Sequence, residues 1–168
     1  MRKMVLSILV DNTAGVLSRI SGLFSRRGYN IDSLTVATTE KQEYSRMTVV
    51  ARGDEQILEQ ISKQLAKLED VREIKELTGD DSVCRELVMV KVAASRKDRQ
   101  AIIATSNIFR AKVVDISTDS MMIELTGNQS KVDAFINLLG DVEILEMVRT
   151  GVTGLPRGTG DMSELFED

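Results

Sequence analysis

Residues 4–24 read MVLSILVDNTAGVLSRISGLF, and this stretch decides the fold. The run from Met4 to Val10 is apolar except for Ser7, and its length is typical of a buried strand. The polar group at 11–13, followed by Gly15, predicts a turn. Apolar residues then return at helical spacing and predict one buried helical face: Val16, Leu17, Ile20, Leu23 and Phe24. The chain therefore begins with a strand, a turn and an amphipathic helix.

The segments that follow complete a βαββαβ unit. Gly28 is a natural helix stop, and the polar residues 40–43 join two segments rich in β-branched residues as a hairpin. Asp54 is the predicted N-cap of a second helix, whose apolar stripe is Ile57, Ile61, Leu65 and Leu68. The three strands predicted after the first helix are 31–39, 44–52 and 71–77.

A short polar segment with one glycine, 78–82, has the composition of a linker, and the same order of elements restarts after it. Ser130 and Asp133 resemble a capping box at the start of the last helix. The second set of predicted segments, in the order βαββαβ, is 84–93, 98–109, 112–117, 121–127, 130–139 and 142–149. The predicted fold class is α+β, with two tandem ferredoxin-like modules.

The predicted domains are 1–78 and 83–150, followed by a tail over 151–168. The tail contains four glycines and the only proline of the chain. We expect this tail to be flexible, or ordered by a partner. Right-handed crossovers place both helices of each module on one face of its antiparallel sheet. The other face of the sheet needs a cover, which favours dimerisation.

Composition excludes several classes of partner and compartment. The net charge of −4 disfavours binding to nucleic acid and to anionic membrane surfaces. The apolar run at 4–10 is too short for a membrane-spanning helix and lacks a signal-peptide cleavage site. The single cysteine, Cys84, cannot form an intrachain disulfide and is typical of a reducing compartment, so we expect a cytoplasmic protein.

The chain has no histidine, which removes the commonest general base and the commonest metal ligand. No paired acids lie within an apolar run, where burial raises a carboxyl pKa for acid–base chemistry. We therefore predict no catalytic residue and no metal site, and that the chain is not an enzyme on its own.

The first candidate binding element is the stretch Asp11–Leu17, which places a short amide and a glycine at the amino end of a helix. Free backbone N–H groups and the helix dipole favour an anion there, and Gly15 permits a ligand such as a carboxylate to approach closely. A purely structural role, in which Asn12 or Thr13 caps the helix and Gly15 turns the chain, is favoured by the spacing alone.

The second candidate element is Gly28–Asp32, a glycine followed by hydrogen-bonding side chains where the first helix returns to the sheet. An ordinary helix C-terminus, with Asn30 tolerating a left-handed conformation, explains the same residues and is favoured by the sequence pattern alone.

These two elements resemble those of the small subunits of acetolactate synthase, also called acetohydroxyacid synthase. The resemblance rests on NTAGVLSR at 12–19, GLFSRRGYNIDSLTV at 22–36 and SRMT at 45–48. It continues nearly to the end of the chain, through 65–71, 85–91, 109–111, Gly127 and 151–152. The resemblance implies an ACT domain at 1–78 and a related C-terminal domain.

In that family the effector site lies between two ACT domains, so the resemblance implies a homodimer with a shared pocket. The residues carried over to this chain are Asn12, Gly15, Val16 and Leu17 from one copy and Asn30 and Ile31 from the other. Backbone N–H groups near Gly15 would hold the carboxylate, the two asparagines would orient the polar end, and Leu17 with Ile31 would shape an apolar pocket. Asp11 and Ala14 flank this set. Many relatives have glutamate in place of Asp11, and the shorter acid shifts any contact with the ligand ammonium.

The resemblance also implies a partner and a function. Small subunits of this family bind the catalytic large subunit, raise its activity and confer feedback inhibition by valine or another branched-chain amino acid, within branched-chain amino-acid biosynthesis. The holoenzyme is a thiamine-diphosphate-dependent transferase. The thiamine diphosphate, magnesium and FAD belong to the large subunit, and no cofactor is expected in this chain.

Two other classes of protein share the βαββαβ order. An RNA-recognition module needs aromatic side chains on its central strands and a basic surface, whereas the strand 44–52 has only Tyr44, at its edge, and the chain is acidic. A small-molecule enzyme of ferredoxin-like fold needs convergent polar groups, which the sequence does not offer.

Overall fold

The computed structural model describes residues 1–159, which form two compact units. The first unit comprises Met1–Val83 together with the segment that begins at Gly154, and the second comprises Cys84–Thr153. Each has its own hydrophobic core. Within residues 1–159, no helix is long and apolar enough to cross a membrane.

The first unit has a four-stranded antiparallel sheet with two helices. Its elements are β1 (Arg2–Asp11), α1 (Val16–Arg26), β2 (Ile31–Thr38), β3 (Tyr44–Gly53), α2 (Glu55–Ala66) and β4 (Val71–Glu76). The strand order is β2-β3-β1-β4, so β2 and β4 are the edges. Apolar side chains of both helices pack with alternate residues of β1 and β3, among them Leu6, Ile8 and Val49.

The second unit repeats this arrangement. Its elements are β5 (Ser82–Ala93), α3 (Arg99–Ile108), β6 (Lys112–Ile116), β7 (Ser120–Gly127), α4 (Gln129–Leu138) and β8 (Ile144–Arg149). The strand order is β6-β7-β5-β8. The same βαββαβ order with the same sheet topology confirms the prediction of two tandem ferredoxin-like modules.

Several local predictions were wrong. Leu17 does not belong to the buried face of α1, because its side chain is 45% exposed, whereas Leu58 is buried in the core although the predicted stripe of α2 omitted it. The N-cap of α4 is Asn128, whose side chain accepts a hydrogen bond from Lys131 N at 2.9 Å, so Ser130 and Asp133 do not form a capping box there.

The segment after residue 150 also contains structure that the sequence pattern did not indicate. Residues Thr153–Pro156 form a short strand, β9, which pairs with β5. The backbone N–H of Arg157 donates to the carbonyl of Asp81 at 2.7 Å. The remainder of the predicted tail, 160–168, lies outside the described residues.

Candidate functional site

The loop from Asp11 to Gly15 connects β1 to α1 and is held at its start by backbone hydrogen bonds. Asp11 N donates to the carbonyl of Asp70, just before β4, at 2.9 Å. Asn12 N donates to the carbonyl of Glu43, at the end of the β2–β3 hairpin, at 2.8 Å. These two bonds tie the start of the loop to the residues just before β3 and β4, so α1 begins from a fixed position.

The Asn12 side chain anchors the loop to the hairpin. Its Nδ2 donates to the carbonyl of Gln42 at 2.8 Å, and its Oδ1 accepts from Ser45 Oγ at 3.2 Å. An amide has two N–H donors and a carbonyl oxygen with two lone pairs, so one of each remains for another partner. Asn12 does not cap the helix.

Gly15 is the N-cap residue of α1, with φ 87, and this helix end has no side-chain cap. By contrast, Asp54 caps α2 by accepting from Ile57 N at 2.9 Å, as the sequence predicted. No acidic residue lies in the first turn of α1 either. The N–H groups of that turn and the positive end of the helix dipole are therefore available to an anion.

Two apolar residues follow Gly15 and face in different directions. Val16 is 4% exposed and is part of the core of the first unit. Leu17 is exposed beside the helix N-terminus, together with Ala14. An apolar side chain left in solvent next to an uncapped helix end is suited to contact with an apolar group of a ligand or a second chain.

Two ion pairs flank the loop. Arg72 Nε and Nη2 donate to the two carboxylate oxygens of Asp11 at 2.7 and 2.9 Å, and Arg19 Nε donates to Asp70 Oδ2 at 2.6 Å. The hydrogen bond from Arg19 lowers the pKa of the Asp70 carboxyl, although partial burial opposes the shift. The Asp11 carboxylate is thus engaged with Arg72 at the edge of the loop.

Asn30 and Ile31 lie at the other end of the sheet in the same chain. Asn30 is exposed, and its Nδ2 donates to Asp32 Oδ1 at 3.1 Å, while Ile31 packs partly against the core. In the strand register Ile31 is opposite Ala51, whereas Asp11 is opposite Tyr44. Seven residues of β3 separate the two levels, which is about 24 Å at about 3.4 Å per residue. A single chain therefore does not bring the two predicted halves of the site together.

Sequence reasoning missed Arg19, Asp70 and Arg72 as parts of this site. Arg19 lies on the exposed face of α1, and its contact with Asp70 spans 51 positions of the chain. An acid and a base that far apart give no local pattern. In the described part of the chain, no group of three or more histidine, cysteine or acidic side chains is arranged to hold a metal ion.

Comparison with known proteins identifies similar chains. The model of the AHAS small subunit-like ACT domain matches residues 6–73, and the model named small subunit of acetolactate synthase matches residues 85–158. The probable acetolactate synthase small subunit of Methanothermobacter thermautotrophicus is 48% identical over 159 residues, which cover 94% of this chain and 95% of that protein. The acetolactate synthase isozyme 3 small subunit of Escherichia coli is 46% identical over 155 residues, which cover 92% and 95%.

A solved structure agrees with these sequence matches. The crystal structure of the acetolactate synthase small subunit from Thermotoga maritima superposes with a TM-score of 0.87 at 38% identity. The match covers 95% of this chain and 99% of that one. Both modules are therefore shared with a chain of nearly the same extent.

Proposed function

Because this chain belongs to the family of acetolactate synthase small subunits, we propose that it is the non-catalytic regulatory subunit of that enzyme. It binds the catalytic large subunit, raises its activity and confers feedback inhibition by valine or another branched-chain amino acid. The observation that carries the sensing role is the N-terminus of α1, where Gly15 leaves the helix without a side-chain cap. An α-amino acid supplies the carboxylate that such a helix end favours.

The geometry of the first sheet supports a site shared by two copies of the chain. Strand β2 is an edge, and its end at Thr38 lies opposite Ser45, near the level of the loop after β1. If β2 of one copy pairs antiparallel with β2 of a second copy, the start of the second β2 lies beside the end of the first. This pairing carries Asn30 and Ile31 of the second copy to the Asp11–Gly15 loop of the first.

Within this shared site the residues have distinct roles. Backbone N–H groups after Gly15 bind the effector carboxylate, and exposed Leu17 with Ile31 of the second copy contacts the apolar side chain. Asn30 orients the polar end of the ligand. Asn12 has one donor hydrogen and one lone pair left for the ligand, and its main role is to fix the loop against the hairpin.

Catalysis and its cofactors are assigned to the large subunit, including thiamine diphosphate, magnesium and FAD. The similarity of this chain to small subunits supports this division. Regulation then acts by linkage. Effector that binds one arrangement of the assembled subunits more tightly shifts the equilibrium toward it, and coupling of about 1–3 kcal/mol changes activity several-fold or more.

An assay of the cognate large subunit tests both halves of the proposal. Acetolactate formation is measured with and without this chain over a range of valine, leucine and isoleucine concentrations. We expect the chain to stimulate activity and to make it sensitive to at least one of the three amino acids. Titration calorimetry of the chain, alone and with the large subunit, measures the binding step directly. If the chain does not stimulate the large subunit, the proposed activation is wrong. If none of the three amino acids gives heat on titration, the proposed effector binding is wrong.

A further inference from the structure

We propose that Arg19 recognises the effector carboxylate and that Asp70 is the positioning residue that holds its guanidinium over Gly15. This inference rests on the effector site proposed above and adds to it the side chains that select the charge of the ligand.

The first argument is the position of the guanidinium. Arg19 lies one turn into α1, and long helical side chains point back toward the helix N-terminus. A Cβ added to Gly15 would lie 2.9 Å from Arg19 Nη1, so the guanidinium sits directly against the Gly15 backbone. The cation therefore lies at the same helix end whose N–H groups are uncapped.

The second argument is the set of donors that remains. Arg19 Nε donates to Asp70 Oδ2 at 2.6 Å, whereas within residues 1–159 neither terminal nitrogen of Arg19 makes a hydrogen bond. The side chain is 49% exposed, so these nitrogens are accessible. Two parallel N–H donors on one guanidinium match the geometry of a carboxylate, which makes such pairs both strong and selective.

The third argument is that the Asp70 carboxylate pairs with Arg19 and is itself held in place. Its side chain is 18% exposed, and its backbone carbonyl accepts from Asp11 N at 2.9 Å, which fixes the residue against the loop. The other nearby cation, Arg72, is held by both carboxylate oxygens of Asp11. Each acid therefore has its own arginine, and the guanidinium of Arg19 is oriented by a fixed acceptor before any ligand arrives.

The second unit provides a contrast at the corresponding junction. The N-cap residue of α3 is Asp98, which carries a carboxylate and accepts a hydrogen bond from Ser95 Oγ at 2.8 Å. A negative side chain at that helix end repels a carboxylate ligand. The first unit thus combines a glycine N-cap, an arginine oriented by Asp70 and no acidic residue in the first turn of the helix.

A comparison of valine with valinamide tests the proposal, because the two ligands share the ammonium and side chain and differ in carboxyl charge. Both are titrated by calorimetry into the full chain and into Arg19→Gln, Arg19→Lys, Asp70→Asn and Arg26→Gln. Arg26 lies in the last turn of the same helix, is exposed and serves as the matched control. Thermal unfolding of each variant verifies that it is folded.

For Arg19→Gln we expect valine affinity to fall about tenfold or more, the loss typical of a hydrogen bond to a charged group, with valinamide affinity changed less than about threefold. Arg19→Lys retains the charge without the paired donors, and Asp70→Asn retains the donors but replaces the charged acceptor that orients them with a neutral, weaker one. Both should lose part of the preference for valine. Arg26→Gln should behave as the unchanged chain.

If Arg19→Gln weakens the binding of valine and of valinamide equally, the ion pair only holds α1 near the start of β4, and the proposal is overturned. Unchanged affinity for both ligands overturns it as well. If Arg19→Gln does not fold, the ratio of the two affinities in Arg19→Lys and Asp70→Asn decides. If the unsubstituted chain binds no branched-chain amino acid, alone or with the large subunit, the effector site itself is wrong, and that failure is distinct from a failure of Arg19.

Discussion

At the scale of single residues, Gly15 meets two requirements at once. Its φ of 87 lies in the left-handed region, which costs an L side chain roughly 1–2 kcal/mol. The space in which a Cβ would lie is taken by Arg19 Nη1. A substitution at Gly15 therefore strains the backbone and also displaces the cation beside the helix end.

Gly15→Asp should abolish effector binding, because its carboxylate would occupy the anion site and pair with Arg19. We expect feedback inhibition by valine to be lost and stimulation of the large subunit to be retained, as measured by activity assays and calorimetry. Gly158→Asp is the matched control, since Gly158 also has a positive φ and has open space around it. Normal valine inhibition in Gly15→Asp would mean that the site is elsewhere.

Asp70 gives a prediction for pH. Since its pKa is lowered from 3.8 in the folded chain, the stability contributed by the Arg19–Asp70 pair is present above that pH and is lost as pH falls through the lower folded value. Asp70→Asn should therefore unfold at a lower temperature than the unsubstituted chain at pH 7. The gap between the two unfolding temperatures should close as the pH is taken below 3.8. A gap independent of pH would exclude a contribution from this charge.

Residue-level prediction from sequence succeeded where the cause is local. Asp54 as an N-cap and Gly28 as a helix stop follow from the chemistry of adjacent backbone groups. The engagement of Asn12 with Gln42 and Ser45 depends on how the hairpin folds against the loop, about 30 positions away. Spacing cannot encode such a contact. The placement of the effector residues around a ligand stays a prediction.

At the scale of elements, the turn after the first helix has the same backbone structure in both modules, although the residues there differ. After the first helix of each module, one residue adopts a positive φ, namely Gly28 at 67 and Arg110 at 56. The following N–H groups donate to carbonyls five residues earlier, from Tyr29 to Phe24 and from Ala111 to Ser106. This is the same C-terminal cap, with glycine in one module and arginine in the other.

Arg110→Gly should raise the free energy of unfolding of the second unit by about 1 kcal/mol, because glycine adopts this conformation without the Cβ penalty. Chemical denaturation monitored by circular dichroism measures the change. Gly28→Ala is the reciprocal variant and should destabilise the first unit by a similar amount, since a Cβ there meets no atom within 4 Å. If Arg110→Gly lowers stability, the Arg110 side chain contributes contacts that outweigh its backbone strain.

The twelve elements that define the modules' order, eight strands and four helices, were all predicted. A hydrophobic period marks most of them, whereas β8 is exposed along its whole length. Strand β9 was missed because its four residues contain a glycine and a proline and have no apolar alternation. Both faces of β3 are covered, because Thr48 and Val50 are buried as well as Val49. Periodicity describes one covered face and cannot report that the second face is buried too.

At the scale of the whole molecule, the chain contains two separate cores. The core of the first unit includes Phe24, and that of the second includes Phe135, and the two clusters have no residue in common. Sequence order predicted this duplication correctly, since each module repeats βαββαβ. Neither the periodicity nor the composition of this chain identifies the surface that contacts the large subunit, because that surface is defined by the partner.

Phe135→Ala should destabilise the second unit by about 3–5 kcal/mol, because it leaves a cavity at a fully buried ring that packs edge-on against Phe109. Hydrogen exchange should accelerate for amides of β5 and α4 and remain close to normal for β1 and α1. Phe24→Ala should show the opposite distribution. Equal acceleration in both units by either variant would mean that the chain unfolds as one cooperative body.

The distance of about 24 Å between the levels of the Asp11 loop and of Ile31 along β3 has a consequence for how such a sensor responds to dilution. If two copies supply the two halves, as proposed above, effector binding and self-association are linked equilibria. Effector then tightens the dimer, and apparent affinity falls when the protein concentration drops below the dimer dissociation constant. Cells that make too little of this subunit would lose feedback sensitivity even if every site residue were intact.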